Sequence, residues 1–138
     1  VEKYAQEAAD KCVPLDSELI KEAIPLFTQI HHCGSVLAEV FFAMMISRIL
    51  YGSVPAPGTM VIFSILLATC SIGTPGLPWG TVMVSLGTLT GILKFGDSGQ
   101  ALMFAVFALN DAFAAACNAT CDGAAALFLT GYVKRHDL

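Results

Sequence analysis

The sequence predicts an all-α integral membrane protein made of a broken transmembrane helix, a re-entrant helical hairpin and a last transmembrane helix. Three observations carry that expectation. More than half of the 138 residues are apolar, and the mean hydropathy is strongly positive, far from the composition of a soluble domain. No charged residue occurs from Ile49 to Leu93, a run more than twice the roughly 20 residues that cross a hydrocarbon core once. Gly and Pro interrupt that run repeatedly, as membrane helices tolerate and one continuous span would not require.

Residues 1–14 read as a polar loop or surface helix, because Glu2, Glu7 and Asp10 alternate there with Lys3 and Lys11 in the manner of a solvated segment. Pro14 followed by Asp16 and Ser17 is a helix-start signal, so the broken helix is placed at 15–51. Its first part carries Ile20, Ile24, Leu26 and Phe27. A polar and small cluster, Gln29 and His31 to Gly34, then marks the break, and an apolar piece resumes at Val36. Glu39 interrupts that piece, and Arg48 near its end can snorkel to an interface.

After a turn containing Gly52, Pro55, Pro57 and Gly58, the hairpin is placed at 56–94. Thr59 to Cys70 is apolar but covers only about half a bilayer at 1.5 Å per residue. The stretch from Ser71 to Gly80, with Pro75, Gly76 and Pro78, cannot be regular helix, and a second short apolar piece follows to Leu93. Backbone at such a tip must be buried in protein or line a wet cavity, since unsatisfied groups in lipid cost several kcal/mol each. Lys94 to Gln100 reads as a polar turn and the last helix as 100–133. Lys134 and Arg135 after it suit a cytoplasmic end. The opening Val1 is taken as a position inside a longer polypeptide.

The last helix carries Asp111, Asn118 and Asp122 at i, i+7 and i+11, on one face with Ala114 and Ala115 between. A charge at membrane depth costs at least about 2.5 kcal/mol on insertion scales. It therefore meets an ion, a substrate or a buried partner; the competing reading is polar glue between helices. Half-helices at mid-membrane present N–H and C=O groups suited to anions and cations respectively.

Seven Lys plus Arg and a net charge of −4 give little hold on a phosphate backbone, so nucleic acid is excluded as a partner. No nucleophile motif occurs, so an enzyme using covalent catalysis is not expected. The five cysteines lack a secreted disulfide spacing and are expected to be buried small thiols. His31, His32, Cys33, Cys117 and Cys121 form a competing metal constellation, although neither H-H-C nor C-x-x-x-C is a specific metal signature.

The hairpin tip followed by Thr81-Val82-Met83, with Asn118-Ala119-Thr120-Cys121-Asp122 and Asp111 seven residues before Asn118, resembles the dicarboxylate/amino acid:cation symporter family over nearly the whole chain. The resemblance implies the C-terminal half of an elevator-type transport domain and symport of a small amino acid or carboxylate. It further implies sodium or proton as the coupling ion with no other cofactor, a homotrimer completed by the remainder of the parent transporter, and a plasma (inner) membrane setting. By the same resemblance Asp111 holds the substrate amino group, Asn118 reads the substrate backbone and also serves the cation site, and Asp122 ligates the cation. Carbonyls of Ser71, Ile72 and Thr74 help hold a second cation, Leu77 and Thr81 close the tip over substrate, and Ser35 supplies a substrate-side hydroxyl. Two departures stand out. Ala114 replaces the Arg that acidic-substrate members carry three positions after the aspartate, which removes a bidentate carboxylate partner, so either the substrate has a small neutral side chain or its charge is met from elsewhere in the parent protein. His31 to Ser35 replaces the N-M-D-G-T motif, keeping Gly34 and, in kind, Ser35. That change removes expected sodium ligands and makes His31, His32 and Glu39 candidate proton carriers. A degenerate module that does not transport is the alternative.

Overall fold

Apolar residues recur every three or four positions along most of this chain, and the helices follow from that period. The computed structural model describes residue 7 and residues 17–30, 32–74 and 80–136; among these it is helical, with no strand. Five helices have their bounds among the described residues: α1 (Ser17–Ile30), α2 (Cys33–Tyr51), α3 (Pro57–Ile72), α4 (Gly80–Gly91) and α5 (Asp97–Arg135). The segment 1–14, apart from an exposed helical Glu7, and the helix start at Leu15 lie outside the described residues.

α1 is the most amphipathic helix. Ile20, Ala23 and Ile24 are buried, and Ile20 and Ile24 pack with Phe27 and with Ala126 of α5. Glu18, Lys21 and Glu22 face outward, and the exposed Lys21–Glu18 pair at 3.0 Å is of the surface kind that contributes little. Pro25 lies inside this helix and leaves the carbonyl four residues earlier without its usual donor.

α2 buries Ser35, Glu39, Ala43, Ile46 and Ser47, a stripe at helical spacing. Its C-terminus is closed in two ways. Gly52 takes the left-handed conformation with φ of 76°, where a side chain would be strained. The Arg48 guanidinium donates to the Gly52 carbonyl at 2.6 Å, placing a cation at the negative end of the helix. Pro57 opens α3 at a position where its missing N–H costs nothing.

The principal core draws Ala43 and Ile46 from α2, Met60, Phe63 and Leu67 from α3, Val82 and Leu89 from α4, and Met103 and Phe107 from α5. The short α3 and α4 are thus tied to the two long stretches by one continuous apolar contact. At 16 and 12 residues they are about 24 and 18 Å long, each short of the roughly 30 Å hydrocarbon core. Glu18–Tyr51 and Asp97–Arg135 are long and apolar enough to cross a membrane. Leu109, Phe113 and Phe128 stand 71% to 85% exposed, a distribution that suits lipid or further protein and not water.

The last helix corrects one expectation. The polar stretch 94–100 is not all turn: α5 begins at Asp97, three residues before the expected start. Asp97 puts an acid in the first turn, where the helix dipole favours it, and the Gly96 N–H donates to the Tyr51 hydroxyl at 3.0 Å. A Cβ on Gly99 would lie 2.7 Å from that same hydroxyl, so a glycine here lets the two helix ends meet.

Substituting Gly52→Ala is expected to lower stability by about 1 kcal/mol through strain at positive φ. Gly58→Ala, at a position with open space around it, should change little; thermal unfolding of the two variants in detergent compares them.

Candidate functional site

A helix that starts inside the molecule exposes several backbone N–H groups with no intrahelical partner. α2 starts this way. His32 precedes its first turn in non-helical backbone (φ −116°, ψ 12°) and offers no side-chain cap. The partner comes from α5: Asn118 Oδ1 accepts the Gly34 N–H at 2.7 Å and the Ser35 N–H at 3.4 Å. Asn118 Nδ2 in turn donates to Ser35 Oγ at 3.1 Å. One buried amide therefore caps a helix 83 residues away in sequence and holds its hydroxyl as well.

The approach is possible because residue 34 has no side chain. A Cβ there would stand 2.5 Å from Cys117 Cβ and 2.6 Å from the Ala114 carbonyl oxygen. Ala114, itself 2% exposed, is the matching small residue on α5. One turn beyond Asn118 on the same helix, Asp122 is buried. Asp111 lies about 10 Å back along the α5 axis from Asn118, half-buried.

On the other side, the His32 ring joins the same junction to the end of α3. His32 is buried, and its Nε2 lies 3.3 Å from the Thr74 carbonyl oxygen. The Ser71 carbonyl accepts from the Thr74 N–H at 3.1 Å and from the Thr74 hydroxyl at 2.7 Å. Ser71 and Thr81 are buried, whereas Ile72 is exposed. The residues expected to form the site thus gather unevenly: Ser35 and Asn118 meet at the start of α2, buried Asp122 lies one turn further along α5, and Thr74 reaches the junction through His32. Leu77 and His31 lie outside the described residues.

Two openings flank this junction. A groove of about 400 Å³ between α2 and α5 is lined by Gly34, Leu37, Phe41, Asn110, Phe113 and Ala114 among others. A smaller pocket of about 210 Å³ lies where His32 and Cys33 meet Ala68 and Ile72 of α3. One turn after Ser35, Glu39 is fully buried, and neither carboxyl oxygen has a hydrogen-bond partner among the described residues. Ser85 of α4 stands beside it, with its hydroxyl donated to the Val82 carbonyl at 2.9 Å.

The cysteines correct another expectation. Cys33, Cys117 and Cys121 are exposed and Cys70 is half-buried, because their sulfurs lie on helix flanks and not in the core, even at Cys117, whose Cβ meets Gly34; Cys12 lies outside the described residues. Among the described residues no group of three or more His, Cys, Asp or Glu side chains could hold a metal ion, so the competing metal constellation does not assemble there. The capping role of Asn118 and the His32 link to Thr74 were not expected; the only hint was the polar run from His31 to Ser35 at membrane depth.

A model of the sodium:dicarboxylate symporter family matches residues 5–131. No curated protein matches the chain, and neither does any solved structure.

Asn118→Ala removes the cap and leaves the Gly34 N–H unpaired in a buried setting, at an expected cost of about 1–3 kcal/mol. Gly34→Val should cost at least as much by forcing α2 and α5 apart. Thermal unfolding of both variants in detergent, with Gly87→Ala as the control at an open position, tests the pair.

Proposed function

The chain belongs to the sodium:dicarboxylate symporter family, and from that premise we propose that it forms the substrate- and cation-binding part of a secondary active transporter. The family is made up of membrane transporters, not enzymes. The observation that carries the reading is the start of α2: a helix N-terminus within a membrane-length apolar stretch, held by the buried Asn118 amide of α5 one turn from the buried Asp122. Helix N-termini and irregular backbone at membrane depth suit a site that takes an anionic group and a cation together.

In this reading the broken helix is α1 and α2, and α3 with α4 is the re-entrant hairpin whose tip closes the site. Asp111 holds the substrate ammonium, Asn118 and Ser35 meet the substrate backbone, and Asp122 with Asn118 binds the coupling cation. Leu77 and Thr81 cover the substrate. Carbonyls of Ser71, Ile72 and Thr74 serve a second cation once their present bonds are exchanged, since Thr74 and His32 occupy two of them.

Selectivity follows from Ala114. The groove beside it is mostly apolar, and no guanidinium stands there to pair with a second carboxylate. The substrate is therefore a small amino acid or carboxylate without an acidic side chain. Glu39, buried without a partner among the described residues, is the proton carrier that accompanies it, because a carboxyl in lipid-depth packing is retained at a cost that a proton relay explains. The assembly is an elevator-type homotrimer in the plasma (inner) membrane with a cytoplasmic C-terminus, where Lys134 and Arg135 end α5.

A module that no longer transports is favoured by one observation, the occupation of the Ser71 and Thr74 carbonyls by Thr74 and His32. Uptake into liposomes carrying the polypeptide that contains this sequence decides between the two. Labelled alanine or serine should accumulate under an imposed sodium or proton gradient and exceed aspartate and succinate. Asp122→Asn should abolish accumulation without preventing membrane insertion, and Glu39→Gln should remove its dependence on a proton gradient. No uptake under either gradient would leave the module that does not transport.

A further inference from the structure

The groove between α2 and α5 begins where Gly34 meets Ala114 and runs toward Phe41 and Asn110. Its room comes from missing side chains, since Gly34, Ala38 and Ala114 contribute at most a methyl group each. Its large lining residues are apolar, and Leu37, Phe41 and Phe113 among them are exposed. Asp111 follows Asn110 in the chain and Asn118 follows Cys117, and both Asn110 and Cys117 line the groove. One step along a helix turns about 100°. The polar stripe of α5 therefore runs alongside the groove, with Ala114 on the boundary between them.

Size decides what fits there. A cavity of about 150 Å³ with an apolar lining takes a benzene ring, and this groove measures about 400 Å³. Alanine or serine held at Asp111 and Asn118 would leave most of it empty. A phenyl or isobutyl group would pack against Leu37, Phe41 and Phe113, a gain that grows with the apolar area removed from water. An acidic side chain would enter the same space with no cation among the lining residues to meet it.

We propose that the groove is the side-chain subsite of the substrate, and that it selects a neutral amino acid with a large apolar side chain, phenylalanine or leucine, over alanine. The assignment rests on the transport reading of Asp111 and Asn118 and adds the size of the side chain to it. A lipid chain is the rival occupant at membrane depth, but it gains nothing from a polar stripe beside it, whereas an amino acid uses stripe and groove together.

The test follows labelled phenylalanine, leucine and alanine with the membrane-reconstituted polypeptide that contains this sequence, as gradient-driven uptake and as equilibrium binding. Phenylalanine or leucine should half-saturate uptake at a concentration about tenfold or more below alanine, since a single methylene in an apolar pocket is worth about that factor. Leu37→Trp fills the groove from its exposed side and should cut the preference by about tenfold. Leu109→Trp, exposed on α5 but outside the groove, should leave it unchanged. Alanine uptake with no tighter phenylalanine or leucine, or a preference that Leu37→Trp does not alter, would overturn the proposal and leave the transport reading standing; a groove filled by lipid gives that result. Phenylalanine binding that Leu37→Trp weakens, in protein that transports nothing, would support the subsite and count against transport alone. Neither uptake nor binding of any of the three would overturn both.

Discussion

An α-helix that begins in the interior of a membrane protein carries a debt of unpaired N–H groups, and in lipid no water is present to meet it. The rest of this structure is arranged around how α2 resolves that problem. Its own preceding residue, His32, provides no cap. Asn118 does, from the middle of α5, through the Gly34 and Ser35 N–H groups. That single amide dictates the small residues at 34 and 114, because an acceptor side chain as short as Asn reaches only when the two backbones nearly touch.

Close approach at the start of α2 has effects along its length. Once Gly34 is seated on α5, the helical period carries Glu39, Ala43 and Ile46 inward in succession. Ala43 and Ile46 join the core shared by α2, α3, α4 and α5, whereas Glu39 arrives at the same depth with a carboxyl that nothing in the described structure pairs. Apolar packing and polar capping thus set the same register, but the register obliges one ionisable group to be buried. Such a group is costly enough that chance retention is a weak explanation. The His32 ring extends the junction to α3, so the end of a short helix and the start of a long one are held by one residue.

The all-helical architecture was legible because membrane composition and period are local properties: the uncharged run from Ile49 to Leu93, the Pro57 start and the polar face of α5 can all be read without knowing what touches what. Roles for the site residues could be named only by resemblance. Asn118 was expected to read a substrate, yet its observed bonds are to the start of α2; a contact spanning 83 residues leaves no trace in a short window. The start of α5 was misjudged because Asp97, Ser98 and Gly99 are polar or small and look like a turn, whereas Asp97 favours a helix N-terminus and Gly99 is required by Tyr51. The cysteines were misplaced for a related reason. Composition says that thiols are usually buried, but which flank of a helix meets a neighbour is decided by packing.

One property of α5 has evolutionary weight. Asp111, Asn118, Asp122 and Ala126 all lie on a single uninterrupted helix of 39 residues, the last of them seated against α1. Each residue advances the helix by about 100°. A one-residue insertion or deletion between Asp111 and Ala126 would therefore swing either the polar pair or the α1 seat around to the wrong side, with no loop available to absorb the error. Within this helix the protein can drift by substitution but not by length; variation in length has to accumulate in the turns on either side of it.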